Sequence, residues 1–255
     1  MGAVPGRGVL TDWFDVDRFR SHPGRLVVVR TVDRPTVVLG STQPETVVDA
    51  ARAARAGVAV VRRRSGGGLV HLAPGDPVWV DAWVPRTDPL WQDDVVAAAG
   101  WAGEWWQDAV AAVAGPAAGT LSVHHGPSAP TAWSGLVCFA GMGPGEVATA
   151  DGRKVVGLAQ WRSRQGALVH GCAYRHWDPA PLVDVAAVDD RATAAADLAE
   201  VAVGWADLAG AGGPAAGGAG AGGPDGRGQA ACGQGLVDEL LRRLPPGPAW
   251  EVARE

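Results

Sequence analysis

A glycine-rich segment behind three arginines is the first place in this chain where residue types point to chemistry. Residues 62–68 have the sequence Arg-Arg-Arg-Ser-Gly-Gly-Gly and follow a β-branched run that predicts a strand. Backbone amides of consecutive glycines can surround an oxygen of a phosphate or a carboxylate, and arginine adds charge-assisted hydrogen bonds. The segment lacks the Gly-Lys-Ser/Thr ending of a P-loop and the spacing of a dinucleotide fingerprint. It therefore predicts either an anion site of another kind or a plain glycine turn beside solvated arginines.

Lys154 is the second candidate, because it is the sole lysine of the chain. The sequence has 22 lysine and arginine residues, and only the residue at position 154 is a lysine. The lysine ammonium is compact and flexible, carries three donors, and differs from the planar guanidinium in geometry and pKa. In a chain that otherwise uses arginine, this favours a functional role for the one lysine over chance.

The chain has three cysteines, Cys138, Cys172 and Cys232. A free cysteine is commonly a small buried apolar residue. Cys172 and Cys232 are scattered, and the three cysteines give neither a disulfide framework nor a paired-cysteine zinc pattern. No metal site is predicted from them.

Two blocks of the sequence resemble the lipoate ligase and octanoyltransferase branch of the biotin/lipoate protein ligase superfamily. Residues 62–68 are similar to its Arg-Arg-x-Ser-Gly-Gly-Gly motif. Residues 151–160, Asp-Gly-Arg-Lys-Val-Val-Gly-Leu-Ala-Gln, are similar to its Gly-Arg/Lys-Lys-x-x-Gly-x-Ala-Gln stretch, and His170-Gly171 to its later His-Gly. Lys154 falls on the position of the catalytic lysine of that family. The resemblance covers roughly residues 26–178.

The resemblance implies a reaction, its substrates and its site residues. Lipoate or octanoate would be activated by ATP, with Mg²⁺, as an acyl-adenylate and passed to a lysine of a lipoyl-domain protein, either a 2-oxoacid dehydrogenase E2 or the glycine cleavage H protein. Lys154 would bridge the acyl carbonyl oxygen and the α-phosphate. The residues implied to bind substrate are Arg63, Ser65, Gly66, Gly67, Gly68, Gly75, Asp76, Gly157, Ala159 and His170. The acyl chain would need an apolar slot, for which valines and tryptophans of residues 78–84 and 155–161 are candidates; the alternative is that they are plain core.

Two positions depart from the pattern of the family. A histidine is common four residues after Gly68, where this chain has Leu72; His71 comes one residue early, and a one-residue shift reverses the face of a strand. Asp76 replaces an asparagine. A carboxylate beside phosphates repels them unless it holds Mg²⁺ or is protonated, so Asp76 indicates an ion ligand or an altered substrate.

Three functions remain open at this point. The first is the ATP-dependent ligase. The second is an octanoyltransferase, because some members of the superfamily carry a nucleophilic cysteine in a Cys-Phe context like that of Cys138 and accept the acyl group from acyl carrier protein without ATP. The third is a degenerate member that binds a small acid or its adenylate without turnover.

The elements that must position these residues predict an α+β fold. The alternation of strands and helices is irregular, which favours a mixed β-sheet packed with helices over a doubly wound parallel sheet. The resemblance implies a catalytic domain like those of biotin ligases and class II aminoacyl-tRNA synthetases over residues 1–180. Predicted strands are 26–31, 36–40, 58–63, 77–85 and 167–175; predicted helices are 45–56 and 93–114; a hairpin is predicted across 145–160.

The remainder of the chain changes composition twice. Residues 181–208 are alanine-rich and predict one helix. Residues 209–235 are almost entirely glycine and alanine and predict a flexible linker. Residues 236–255 predict a short helical tail that docks back onto the catalytic domain.

Composition and charge exclude several classes of partner. The net charge is −5, which provides no electrostatic footprint for nucleic acid or an anionic membrane. No apolar run approaches the roughly 18 residues of a membrane span, and the first residues lack the pattern of a secretion signal. We therefore expect a cytoplasmic protein.

Overall fold

The chain folds around two sheets. The computed structural model describes residues 15–116, 119–208 and 226–255. Its helices are α1 (Val16–Ser21), α2 (Ala50–Arg55), α3 (Ala97–Ala114), α4 (Ala180–Val185), α5 (Arg191–Val201) and α6 (Gly226–Arg242). Its strands are β1 (Arg25–Arg30), β2 (Thr36–Leu39), β3 (Ala59–Arg62), β4 (Val70–Leu72), β5 (Val78–Pro85), β6 (Leu121–Val123), β7 (Val147–Thr149), β8 (Lys154–Arg162), β9 (Gly166–Ala173) and β10 (Trp250–Arg254).

The larger sheet has seven strands in the order β10-β1-β5-β9-β8-β7-β6. Its pairs are antiparallel except β1 with β10, which is parallel, so the sheet is mixed. Strands β5 and β9 are buried along their whole length, as their nearly continuous apolar sequences require. Helix α3 packs against this sheet, and a Cβ on Gly171 of β9 would lie 2.2 Å from the indole nitrogen of Trp106. The mixed sheet packed with helices confirms the predicted α+β class.

The smaller sheet has three strands in the order β3-β2-β4. Strand β2 pairs parallel with β3 and antiparallel with β4. Its apolar residues share a core with α4 and α5, which contribute Leu182, Val185 and Leu198. The glycine-rich segment connects β3 to β4, and Leu69, directly after it, forms an isolated bridge with Val137.

The range 181–208 contains two helices, and this corrects the prediction of a single one. Helix α4 ends at Val185, and α5 begins after Asp190, whose carboxylate accepts a hydrogen bond from the backbone N–H of Thr193. Aspartate favours this capping position over a helix interior, which the alanine content of the range concealed. After α5 the chain is extended, and the N–H of Val203 donates to the carbonyl of Lys154.

The last part of the chain differs from the prediction in two places. Residues 209–225 of the predicted linker, 209–235, lie outside the described residues. The remainder of that range, from Gly226 onwards, is helical. The predicted helical tail is helical only to Arg242, and residues 250–254 form the edge strand β10. Tertiary contacts, which override local propensity, hold both elements: Leu236 and Leu240 of α6 are fully buried, Trp105 donates a hydrogen bond to the carbonyl of Leu240, and β10 pairs with β1. Within the described ranges, no helix has the length and apolar character to cross a membrane.

Candidate active site

The glycine-rich segment forms one wall of a pocket of about 480 Å³, which Gly66, Gly67 and Gly68 all line. Gly67 has a φ of +98°, in the left-handed region that favours glycine. A Cβ on Gly68 would lie 2.5 Å from the backbone carbon of Val137, so the close approach of the two chains requires glycine there. Among the described residues, no acceptor bonds the three glycine N–H groups. These groups are therefore available to an anionic ligand.

Arg63 lies behind this wall and is not among the residues that line the pocket, so its role as a ligand donor stays a prediction. Its side chain is buried, and its guanidinium donates to the carbonyl oxygens of Gly66 (2.7 Å) and Gly68 (2.9 Å). Arg62 is committed in a similar way, to the carbonyl oxygens of Gly40 and Gln43. The arginines hold backbone carbonyls, because buried carbonyl oxygens need donors.

Ser65 is also placed differently from its prediction. It is buried and is not among the residues that line the pocket. Its carbonyl accepts a hydrogen bond from the N–H of Ser41 at 2.9 Å, while its hydroxyl has no partner within the described part of the chain. Its backbone thus anchors the start of the glycine segment to the turn after β2.

Lys154 is the first residue of β8 and lines the pocket, although its side chain is only 2% exposed. Its Nζ lies 2.6 Å from Oε2 of Glu146 and donates to the carbonyl oxygen of Cys138 at 2.8 Å. The ring centroid of Phe139 is 5.6 Å away. A buried ammonium is costly unless it is paired and hydrogen-bonded, and these contacts meet that requirement.

Glu146 is the site residue that sequence reasoning missed. Its Oε2 also accepts from the N–H of Gly143 at 2.5 Å, and its Oε1 accepts from the N–H of Leu158 at 3.1 Å. Burial raises the pKa of this carboxyl above its usual value, although Lys154 and the two N–H groups act in the opposite direction. A lone glutamate between two glycines and an apolar strand, in a hairpin that carries the sole lysine, was the signal that could have identified it.

Cys138 lies in the same pocket and is half-buried. It begins a 3₁₀ turn, Cys138–Ala140, and its N–H donates to the carbonyl of Leu69 at 3.0 Å, which ties the turn to the end of the glycine segment. A Cβ on Gly67 would lie 3.6 Å from its Sγ. The structure therefore brings Cys138, Lys154 and the three glycines together, as both the ligase and the transferase hypotheses require.

His170 and Gly157 are not part of the pocket lining, whereas Ala159 is. The imidazole of His170 is buried between strands, and its Nδ1 lies 2.6 Å from Oδ1 of Asp81. Burial favours a raised pKa for Asp81, but the charges of His170 and Arg30 outweigh it and lower the pKa to about 2. His170 thus belongs to a buried charge network in the larger sheet, and its role as a substrate ligand stays a prediction.

Gly75 and Asp76 form the turn between β4 and β5 and do not line the pocket either. The carboxylate of Asp76 accepts a hydrogen bond from the N–H of Arg175 at 2.8 Å. Burial raises its pKa to about 6, against the effect of the hydrogen bonds and charges around it. Within the described residues, no cluster of three or more His, Cys, Asp and Glu side chains could hold a metal ion. The structure thus places Asp76 in a turn that holds the backbone of Arg175, and its role as an ion ligand or as a mark of an altered substrate stays a prediction.

An apolar surface completes the pocket. Val95 and Val96 lie at its edge and are 57% and 43% exposed, unusually high for valine. The carbonyl of Val95 accepts a hydrogen bond from the side-chain amide of Gln160, so the loop before α3 is tied to β8. Leu158 and Met142 lie on the same lining. Of the candidates for the acyl slot in residues 78–84 and 155–161, Trp79 and Trp83 of β5 belong to the core, which was the alternative interpretation.

A model of the lipoyl protein ligase A/B catalytic domain family matches residues 16–209. The chain belongs to this family. The match confirms the resemblance drawn from the two sequence blocks, and it extends beyond residue 180, where the predicted catalytic domain ends, to include α4 and α5.

Solved lipoate ligases share the fold of this family member. A bipartite lipoate protein ligase from Thermoplasma acidophilum, studied with its E2 lipoyl domain, has a TM-score of 0.58 at 17% identity over 93% of this chain and 79% of that chain. A T. acidophilum protein described as a lipoate protein ligase, with bound lipoic acid, has a TM-score of 0.58 at 15% identity over 99% and 86%. A lipoate-protein ligase A bound with ATP has a TM-score of 0.55 at 15% identity over 94% and 81%. No curated protein sequence matches the chain.

The close approach at the glycine wall generates a first prediction. Gly68→Ala should lower the free energy of unfolding by about 1–3 kcal/mol, because the new Cβ would overlap the backbone of Val137. Gly66→Ala is the matched control, since a Cβ there meets nothing within 4 Å. Chemical denaturation of both variants measures the difference. Equal stability of the two variants would contradict the described approach of the chains.

The raised pKa of Asp76 generates a second prediction. Because the folded protein holds this proton up to about pH 6, against an ordinary value of 3.8, stability should fall as pH rises between these values. Asp76→Asn should therefore stabilise the protein by about 1–3 kcal/mol at pH 7 and by nothing below about pH 4. Unfolding curves across this range, with the exposed Asp184→Asn as control, measure the gain. A gain that does not change with pH would contradict the assignment.

Proposed function

We propose that this chain transfers lipoate, or a medium-chain acyl group such as octanoate, to a lysine of a lipoyl-domain protein. The observation that supports it is the convergence of the sole lysine, three free glycine amides and an apolar surface on one pocket. Relatives of the same fold that bind lipoic acid, bind ATP or act with an E2 lipoyl domain support these substrate classes. The acceptor we propose is the lipoyl domain of a 2-oxoacid dehydrogenase E2 or the glycine cleavage H protein.

The first candidate route is the ATP-dependent ligase. A carboxylate oxygen of the acid attacks the α-phosphate of ATP, pyrophosphate leaves, and the acceptor amine then attacks the acyl carbonyl with release of AMP. Both steps build negative charge on oxygen, which fixed cationic and N–H donors stabilise. The ammonium of Lys154 and the amides of Gly66, Gly67 and Gly68 are placed to do this. Any Mg²⁺ that enters with ATP would be held through phosphate oxygens, since we assign it no protein ligand.

The acyl chain would lie on the apolar surface. Val95 and Val96 present exposed apolar area at the edge of the pocket, and burying it beneath a hydrocarbon chain stabilises the complex by about 25 cal/mol per Å². Leu158 and Met142 extend the same surface. This placement puts the carboxyl end of the ligand towards Lys154 and the glycine amides.

The second candidate route is thioester transfer through Cys138. The observation that favours it is the position of Cys138 on the pocket lining. Nζ of Lys154 donates a hydrogen bond to the backbone carbonyl oxygen of the same residue. The thiolate would attack an octanoyl thioester of acyl carrier protein, the carrier thiol would leave, and the acceptor lysine would then release the acyl group from Cys138. This route uses no ATP.

Variants at the two reactive residues separate the routes. Lys154→Met should lower acyl transfer to a lipoyl domain at least about 100-fold by either route, because it removes the cation that stabilises developing charge. Arg153→Met, one residue away and outside the pocket lining, is the matched control. The assay is the mass of the acceptor domain after incubation with lipoate and ATP, or with octanoyl carrier protein, and circular dichroism checks the fold of each variant.

Cys138→Ser distinguishes the chemistry in the same assay. It should leave ATP-dependent transfer within a few-fold of the unmodified chain and abolish transfer from octanoyl carrier protein. A covalent octanoyl adduct on Cys138 would instead establish the thioester route. Folded Lys154→Met with full activity would rule out the proposed role of the lysine, and binding of lipoate without either reaction would indicate the non-catalytic member of the family.

A further inference from the structure

The pocket carries one cation and one anion on its lining, and these neutralise each other. Among the described side chains that line it, only Lys154 and Glu146 bear a full charge at neutral pH, and their atoms Nζ and Oε2 are 2.6 Å apart. The side chains are 2% and 4% exposed, so little water screens the pair. A carboxylate that binds beside Lys154 therefore meets a cation that is already paired.

Glu146 cannot readily withdraw to make room. The backbone N–H groups of Gly143 and Leu158 each donate a hydrogen bond to its carboxylate, so the turn before β7 and strand β8 both hold it. A ligand carboxylate that contacts Nζ of Lys154 would place two negative charges beside one cation. Like charges a few ångströms apart favour the protonated form of one of them.

The groups around the pair provide no second cation on the pocket lining. Arg63 donates to carbonyls behind the glycine segment, and the ring of His124, whose backbone pairs with that of Glu146, lies against the carbonyl of Pro127 at 2.8 Å. Burial raises the pKa of the Cys172 thiol well above its usual value, so this neighbour of β8 is uncharged. The contact of Cys138 with Lys154 is through its neutral carbonyl.

We propose that Glu146 takes up a proton when an anionic acyl ligand binds beside Lys154, and that it thereby sets the preference of the pocket between carboxylates and uncharged acyl groups. The proton comes from solvent, and the complex then holds one ammonium, one ligand carboxylate and one neutral Glu146. The burial of the Glu146 carboxyl supports this step, because it raises the pKa above that of an exposed glutamate and so makes protonation less costly. The proposal rests on the proposed function, in that it takes this pocket as the acyl site.

Isothermal titration calorimetry of the unmodified chain tests the proposal without any catalytic assay. Lipoate and its uncharged carboxamide, lipoamide, are titrated at pH 8 in phosphate and in Tris, whose ionisation enthalpies differ. We expect lipoate binding to take up close to one proton and lipoamide binding to take up none. The dissociation constant of lipoate should rise by up to about tenfold per pH unit above neutrality, and that of lipoamide should stay constant.

Glu146→Gln provides the second arm of the experiment, with the exposed Glu104→Gln as a control of equal charge change. The glutamine variant should bind lipoate without proton uptake, at least about tenfold more tightly than the unmodified chain at pH 8, and with an affinity for lipoamide that changes less than about twofold. A purely structural role for Glu146 would weaken both ligands together. If the variant does not fold, the titrations of the unmodified chain decide the question.

The outcomes separate this inference from the proposed function. Lipoate binding without proton uptake, or with equal uptake for lipoamide, overturns the role of Glu146 and leaves the acyl site in place. No binding of lipoate, octanoate or their amides overturns the acyl site and the inference with it.

Discussion

The buried ammonium of Lys154 is the constraint on which the arrangement of this site depends. Taking a cation out of water costs several kcal/mol unless opposite charge and hydrogen-bond acceptors replace the solvent. The chain supplies these from two separate elements: Glu146 lies at the start of the β7–β8 hairpin, and one 3₁₀ turn provides both the carbonyl of Cys138 and the ring face of Phe139. Because these elements come from different parts of the sequence, the ammonium of Lys154 connects the larger sheet to the 3₁₀ turn.

The glycine wall also depends on a buried cation, but this cation binds backbone carbonyl oxygens and leaves backbone N–H donors unbonded. Arg63 is buried and donates to the carbonyl oxygens of Gly66 and Gly68 from behind, while the N–H groups of Gly66, Gly67 and Gly68 bond no acceptor among the described residues. A ligand therefore meets amide donors on one wall and a lysine on another, with no arginine between them. Such donors are fixed before the ligand arrives, which is the condition under which they stabilise charge in a transition state at low cost.

The sequence alone predicts the fold class, the main strands and the two blocks that meet at the pocket, because alternation, turns and the sole lysine are local signals. It does not predict which partner each charged side chain binds in the folded chain. Arg63 bonds the backbone carbonyl of Gly68, five residues along the chain, and Asp76 bonds the backbone N–H of Arg175, which is distant in sequence. His170 has a buried partner on a neighbouring strand, and Glu146 acquires its importance only from contact with Lys154. Residue type defines what a side chain can bind, whereas long-range packing decides what it does bind.

The central claim is that this pocket activates an acyl acid, and exchange of labelled pyrophosphate into ATP tests it most directly. The purified chain would be assayed with lipoate, octanoate and biotin in turn. The account predicts exchange that depends on lipoate or octanoate and that Lys154→Met abolishes. Absence of exchange with all three acids would contradict activation as an acyl-adenylate and would leave the thioester route through Cys138 or binding without turnover.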